Sequence, residues 1–181
     1  MTLTKTEVKN RARRLLRAAG VEGPPVPVEA VAKACGAFVR YRPYSGDFSG
    51  LLARTGKQWV IGINSLDAPA RQRFSVAHEL GHLLLHAPTE PHIDHARDFQ
   101  VRFERGPAAS AGIDPNEIAA NQFAAELLMP EAFLREDLKG TPLHLIDAED
   151  LIANLAERYE VSQQAMTIRL TTLGFLSLLG A

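Results

Sequence analysis

His78-Glu79-Leu80-Gly81-His82 decides how the rest of this chain is read. The five residues spell H-E-x-x-H inside a stretch with helical apolar spacing: Phe74, Ala77, Leu80, Gly81, Leu84 and Leu85 supply packing surface around it. Two histidines four apart lie on one helical face, one turn from each other, so their imidazoles can share a metal ion. Glu79 can serve as general base for a water on the open side of that ion. Two histidines in such apolar surroundings are costly without partners, and a metal is a natural one. The plainer alternative is a core helix whose histidines hydrogen-bond to neighbours, so the motif by itself is a hypothesis that needs a third donor and a suitable fold.

Length and composition set the frame. At 181 residues the chain is long enough for one domain with a proper core, and its apolar and charged fractions are those of a water-soluble globule. A net charge of −1 gives no global electrostatic case for nucleic acid or an anionic membrane. No apolar run approaches transmembrane length. The basic N-terminus (Lys5, Lys9, Arg11, Arg13, Arg14, Arg17) is not followed by a signal core, and Cys35 is the only cysteine, so a cytoplasmic location is expected. Cys35 reads as buried filler in an Ala/Val-rich helix.

Outward from the motif, residues 4–19 form a basic amphipathic helix stopped by Gly20, its basic face read as solvated. Pro24, Pro25 and Pro27 make a rigid link to a short helix over about 28–35 that ends at Gly36. Ala37–Arg42, Gly50–Arg54 and Gln58–Asn64 read as three strands of a small antiparallel sheet, with Gly56-Lys57 as a tight turn. The motif helix starts near Asp67 or Ala68 and ends near His86-Ala87-Pro88. Residues 88–113 are poorly patterned: Phe99, Val101 and Phe103 alternate as a short strand would, Gly106 to Gly112 is rich in Ala, Ser and Gly and reads as mobile, and the long irregular stretch as a whole reads as a loop of the kind that binds substrate. A further helix runs from Asp114-Pro115 to about Leu128, and later helices fit 147–159 and 162–173. The expected fold class is α+β: a mainly helical metallopeptidase domain over 1–140, with a helix-turn-helix-like unit over 141–181 packed on it.

The third donor is not settled by spacing. The longer H-E-x-x-H-x-x-G-x-x-H pattern needs glycine at 85 and histidine at 88, where this chain has Leu85 and Pro88. His86 lies too far along the axis from His78 for an easy chelate, and His92, His95 and Asp98 are weak alternatives. Glu117 is better placed, in the first turn of the next strong helix, with Asn121 one turn further on the same face to orient a histidine. Yet Asp114-Pro115-Asn116-Glu117 also reads as a capping box, so ligand and cap stand about even. Glu126 is on a different face and reads as solvated or salt-bridged.

Two longer stretches carry a resemblance. Arg71-Gln72-Arg73-Phe74-Ser75-Val76-Ala77-His78-Glu79-Leu80-Gly81-His82, followed by Glu117-Ile118-Ala119-Ala120-Asn121-Gln122-Phe123-Ala124-Ala125-Glu126-Leu127-Leu128-Met129-Pro130, resembles the ImmA/IrrE family of metallo-endopeptidases. Val60–Asn64 before the motif and Leu155–Ser162 with Ala165-Met166 and Arg169-Leu170 after it look like theirs too, so the likeness covers roughly 25–175. It implies a zincin-like fold, with His78, His82 and Glu117 as zinc ligands and Glu79 as the catalytic base. Members often carry a second acid just before the alanine-asparagine pair; this chain has Ala119 there. The resemblance further implies site-specific cleavage of a helix-turn-helix repressor, relieving repression of stress genes or of a mobile element. The radiation-response branch has an extra C-terminal sensor domain, which a chain ending at Ala181 is expected to lack.

Some expectations remain open between residues. Manganese or iron would also suit two histidines and a carboxylate. Tyr41, Tyr44, His144 and Tyr159 are candidates for an oxyanion donor. Val60–Asn64 is the first choice for an exposed edge that takes up an extended substrate. A DNA-binding regulator is a rival reading of the last helices. Residues 147–181, however, hold five acids against two bases, leaving Arg169 as the one base of a recognition helix, so direct DNA contact is not expected.

Overall fold

The computed structural model describes residues 3–46, 48–86, 92–95, 114–139 and 147–176, with the backbone alone for 92–95. The fold is mainly helical α+β. In chain order the elements are α1 (Lys5–Ala18), α2 (Val28–Ala34), β1 (Ala37–Arg42), β2 (Phe48–Thr55), β3 (Gln58–Asn64), α3 (Pro69–His86), β4 (His92–His95), α4 (Pro115–Leu128), α5 (Glu131–Asp137), α6 (Ala148–Tyr159) and α7 (Gln163–Thr172). The alternating stretch 99–103 lies outside the described residues.

The sheet departs from expectation. It is mixed, in the order β1-β3-β2-β4. β2 and β3 form the expected antiparallel hairpin, closed by Gly56-Lys57, with Gly56 at a φ of 62° that suits glycine. β1, however, lies on the far side of β3 and runs parallel to it, Ala37 opposite Trp59 and Arg42 opposite Asn64. The chain from β1 to β2 therefore passes the C-terminal end of β3. Buried Asn64 holds it there. Its Oδ1 accepts from the Tyr44 and Leu66 backbone N–H groups, and its Nδ2 donates to the Tyr44 and Phe48 carbonyls. Strand periodicity says which face is buried but not which neighbour a strand takes, so an amide that ties a crossover was invisible to it. β3 is consequently interior, and Val60–Asn64 is not a free edge. Short β4 pairs antiparallel with the outer side of β2.

Helix boundaries follow local chemistry. Thr4 caps α1 in a full capping box with Glu7, and Asp147 and Ser162 cap α6 and α7. α1 buries Val8, Ala12 and Leu16, but its basic face is not simply solvated. Arg11 donates to the Leu84 carbonyl, and Arg13 reaches Glu126 and Glu131. Glu126 is fully buried, so it is salt-bridged rather than solvated. Between α1 and α7 it pairs with Arg13 and with buried Arg169, whose Nε also donates to the Met129 carbonyl. Cys35 is half-buried at the end of α2, and burial pushes its thiol up. Arg73 ties α3 to the Val26 and Glu160 carbonyls and to the Glu160 carboxylate. Glu160 ends α6 in the left-handed region, at a φ of 52°, a conformation held in place by those contacts. Among the described residues no helix is long and apolar enough to cross a membrane.

Removing one partner from a buried ion pair strands the other charge. Glu126→Gln is expected to lower stability by about 3 kcal/mol in urea titration, with an unchanged denaturant slope. A loss below about 1 kcal/mol would contradict the buried pairing.

Candidate metal centre

α3 is buried on all sides along its middle: every residue from Phe74 to Leu83 is buried, Ser75, His78, Glu79 and His82 included. Glycine at 81 permits its packing against α4. A Cβ there would meet the Ala120 Cα at 3.1 Å, the Ala120 carbonyl at 3.2 Å and the Phe123 ring at 3.2 Å. With hydrogen at that position the two helices close to backbone contact. That proximity carries the first turn of α4 to the motif histidines.

Three donor side chains meet as a result. His78 and His82 Nε2 are 3.0 Å apart, Glu117 Oε2 is 3.4 Å from His78 Nε2, and Glu117 Oε1 is 3.1 Å from His82 Nε2. All three residues are buried, and their ligand atoms lie within 4.8 Å of one another. The set fits a metal. Donors at about 2.0–2.1 Å in a tetrahedron are separated by about 3.3 Å, near the spacings seen here. Two imidazoles and a carboxylate also leave a fourth position open, the donor set of catalytic rather than structural zinc sites. Asp114 caps the helix through the Asn116 N–H at 2.9 Å, and the Glu117 carboxylate is turned to the histidines, so the expected capping box does not form.

His78 is oriented by a second residue of α4. Its Nδ1–H donates to Asn121 Oδ1 at 2.9 Å. An amide oxygen only accepts, so this bond fixes the proton on Nδ1 and leaves the Nε2 lone pair toward Glu117 and His82. Glu79 is fully buried and projects about 100° around the helix from His78, onto β2. There its Oε1 would lie 3.0 Å from a Cβ on Gly50. His86 follows one turn after His82. Its Nε2 lies 3.3 Å from the Asn116 carbonyl, and desolvation lowers its pKa.

The tyrosine candidates make contacts of their own. Tyr159 is fully buried and donates to Asp137 at 2.8 Å, and burial with that carboxylate pushes its phenol well up. Tyr41 donates to Glu29, and burial, then that bond, raises it likewise. The Tyr44 ring packs on Phe48 with centroids 4.3 Å apart. His144, Asp98 and the His92 and His95 side chains lie outside the described residues. Sequence reasoning missed Ser49, Gly50 and Arg71: Ser49 Oγ, fully buried, accepts from Arg71 Nε and Nη2 at 3.2 and 2.8 Å. The available signal was an isolated glycine in a strand, which often marks a bulge or a close backbone approach.

With this geometry in view, the match to a known family carries weight. A peptidase family described as IrrE N-terminal-like domain matches residues 32–171. The chain belongs to the IrrE N-terminal-like domain family. Among curated relatives, this IrrE-like chain is 36% identical over 112 residues to the radiation response metalloprotease IrrE of Deinococcus radiodurans, an alignment covering 62% of the chain and 30% of that protein. In fold it is similar to a Mycobacterium tuberculosis transcriptional regulator, with a TM-score of 0.56 and 15% identity, over 92% of this chain and 46% of the other. The IrrE-like chain thus spans less than half the length of either protein.

Two variants probe how the IrrE-like site is assembled. Asn121→Ala is expected to weaken zinc binding about 10–100-fold in chelator competition while the far-ultraviolet circular dichroism stays native. Unchanged affinity would remove Asn121 from the site. Gly81→Ala should lower stability by about 1–3 kcal/mol and weaken zinc binding with it, because a methyl forces α3 and α4 apart. Lost stability with intact affinity would show that the helix spacing does not control the donors.

Proposed function

We propose that this chain is a zinc-dependent endopeptidase of zincin-like fold that makes a site-specific cut in a protein substrate, a helix-turn-helix transcriptional repressor. One observation carries the chemistry: His78, His82 and Glu117 converge from two helices with His78 already oriented by Asn121. Family membership and the distant metalloprotease relative support the same reading. The repressor as substrate, and with it a role in stress response or mobile-element derepression, rests on the ImmA/IrrE resemblance. Manganese or iron are alternative occupants.

His78, His82 and Glu117 would hold the metal, which when bound supplies a Lewis acid for the scissile carbonyl and acidifies an attacking water. The remaining work falls to the chain. Glu79 takes the proton of the attacking water at a carboxylate oxygen and hands it to the leaving amine. Its burial keeps bulk water from competing for that proton. An extended substrate pairs with a sheet edge. Among the described residues the edges are β1 and β4, and β4, beside β2, is the nearer to Glu79.

The rival reading, a DNA-binding regulator working through helix-turn-helix-like α6 and α7, has little support. Arg169, the base it would rely on, is 5% exposed and paired with Glu126. A buried arginine already held by a carboxylate offers nothing to phosphates. The two helices serve instead as packing against α3, α4 and α5, through Arg73, Arg169 and Tyr159.

The test uses the helix-turn-helix repressor encoded nearest the gene, incubated with zinc-loaded wild type and Glu79→Ala and read by intact mass. Wild type should give a single cut. Glu79→Ala should keep its zinc and lose at least about a hundredfold in rate. Cleavage by Glu79→Ala at the wild-type rate would remove the mechanism. A stable complex without cleavage by the zinc-loaded wild type would point to a catalytically quiet binding module.

A further inference from the structure

We infer that the Ser49-Gly50 step of β2 is the positioning device for Glu79, with Gly50 forming the wall against which its carboxylate rests. The inference builds on the endopeptidase reading of the same site. Three observations converge on it. The pairing of β2 with β4 shifts register here: Phe48 stands opposite His95 and Gly50 opposite Asp94, leaving Ser49 as the extra residue. Such a bulge turns two successive residues toward one face, and both Ser49 and Gly50 are buried where a regular strand would alternate. Next, Ser49 is tied to α3 by the two Arg71 hydrogen bonds at 3.2 and 2.8 Å. Arg71 sits about two turns ahead of Glu79 on α3, so the clamp fixes how far β2 stands from the helix.

The third observation is the space itself. A Cβ on Gly50 would lie 3.0 Å from Glu79 Oε1, 3.4 Å from its Cγ and 3.6 Å from its Cδ, with no other residue among the three nearest atoms. Gly50 carries no positive φ, so backbone conformation does not require glycine here; the approach of the carboxylate does. Glu79 is fully buried, and displacing it by a few tenths of an ångström moves the atom that must meet the reacting water. None of His78, His82 and Glu117 is among those nearest atoms, so the wall meets the base first.

The experiment compares Gly50→Ala in wild-type and Glu79→Ala backgrounds, with Gly62→Ala as control, since a Cβ at 62 meets Leu51 instead. Melting of the zinc-free and zinc-loaded proteins needs no substrate. Gly50→Ala should lower Tm by about 3 °C in the wild-type background and by less than about 1 °C with Glu79 truncated. Gly62→Ala should cost the same in both. Zinc affinity of Gly50→Ala should stay within about twofold of wild type. On a quenched peptide that wild type cuts, kcat should fall at least about tenfold with KM nearly unchanged. Equal Tm losses in the two backgrounds, or failure of both Gly50→Ala proteins to fold, would overturn the inference. Coupled Tm losses in a wild type that cuts no peptide would uphold the Gly50–Glu79 contact while counting against the endopeptidase reading.

Discussion

Everything the site can do depends on the backbone-to-backbone approach of α3 and α4 at Gly81. The motif helix alone supplies two imidazoles on one face, a pair that many core helices could carry. A third donor has to come from elsewhere in the chain at a spacing of about 3 Å, and side-chain length leaves little latitude. With Gly81 against Ala120, Glu117 reaches both histidines from the first turn of α4 and Asn121 reaches His78 from the second. One contact thus brings the three donor side chains together and sets Asn121 against His78.

The rest of the fold holds that contact. α1 packs along α4, and the buried carboxylate of Glu126 joins α1 to α7 through Arg13 and Arg169. Arg73 performs the matching task for α3, fastening it to the segment before α2 and to the α6–α7 junction. Buried ion pairs contribute modestly to net stability, since desolvation offsets much of their attraction, but they tolerate few alternative arrangements. They keep two helices in register while the apolar core (Phe123, Leu127, Tyr159, Met166 and Leu170 among others) supplies the driving force.

What the sequence disclosed follows from how local each feature is. Helical periodicity, Asp114-Pro115 and the Val161-Ser162 junction placed α3, α4, α6 and α7 nearly to their ends, because capping and apolar spacing are short-range properties. Asn121 could be paired with a histidine on spacing and chemistry alone. Spacing alone could not separate Glu117 from a capping role, because the deciding fact, its distance to α3, is tertiary; there only the family resemblance pointed to a ligand. The sheet was read as antiparallel because a hairpin was legible in Gly56-Lys57, whereas the parallel partner of β3 was set by Asn64 and a crossover. Gly50 and Ser49 went unread for the same reason: a strand shows its alternation, not what lies across it.

The proposed binding of a single catalytic-type metal by two imidazoles and one carboxylate of this chain has a spectroscopic signature. Zinc K-edge X-ray absorption of the protein loaded with one equivalent tests it without a substrate. The expected spectrum shows a four-coordinate shell of nitrogen and oxygen at about 2.0 Å, with outer-shell scattering from two imidazoles that drops to one in His82→Ala. A shell of oxygens alone, a sulfur contribution from Cys35, or an unchanged imidazole count in His82→Ala would contradict it.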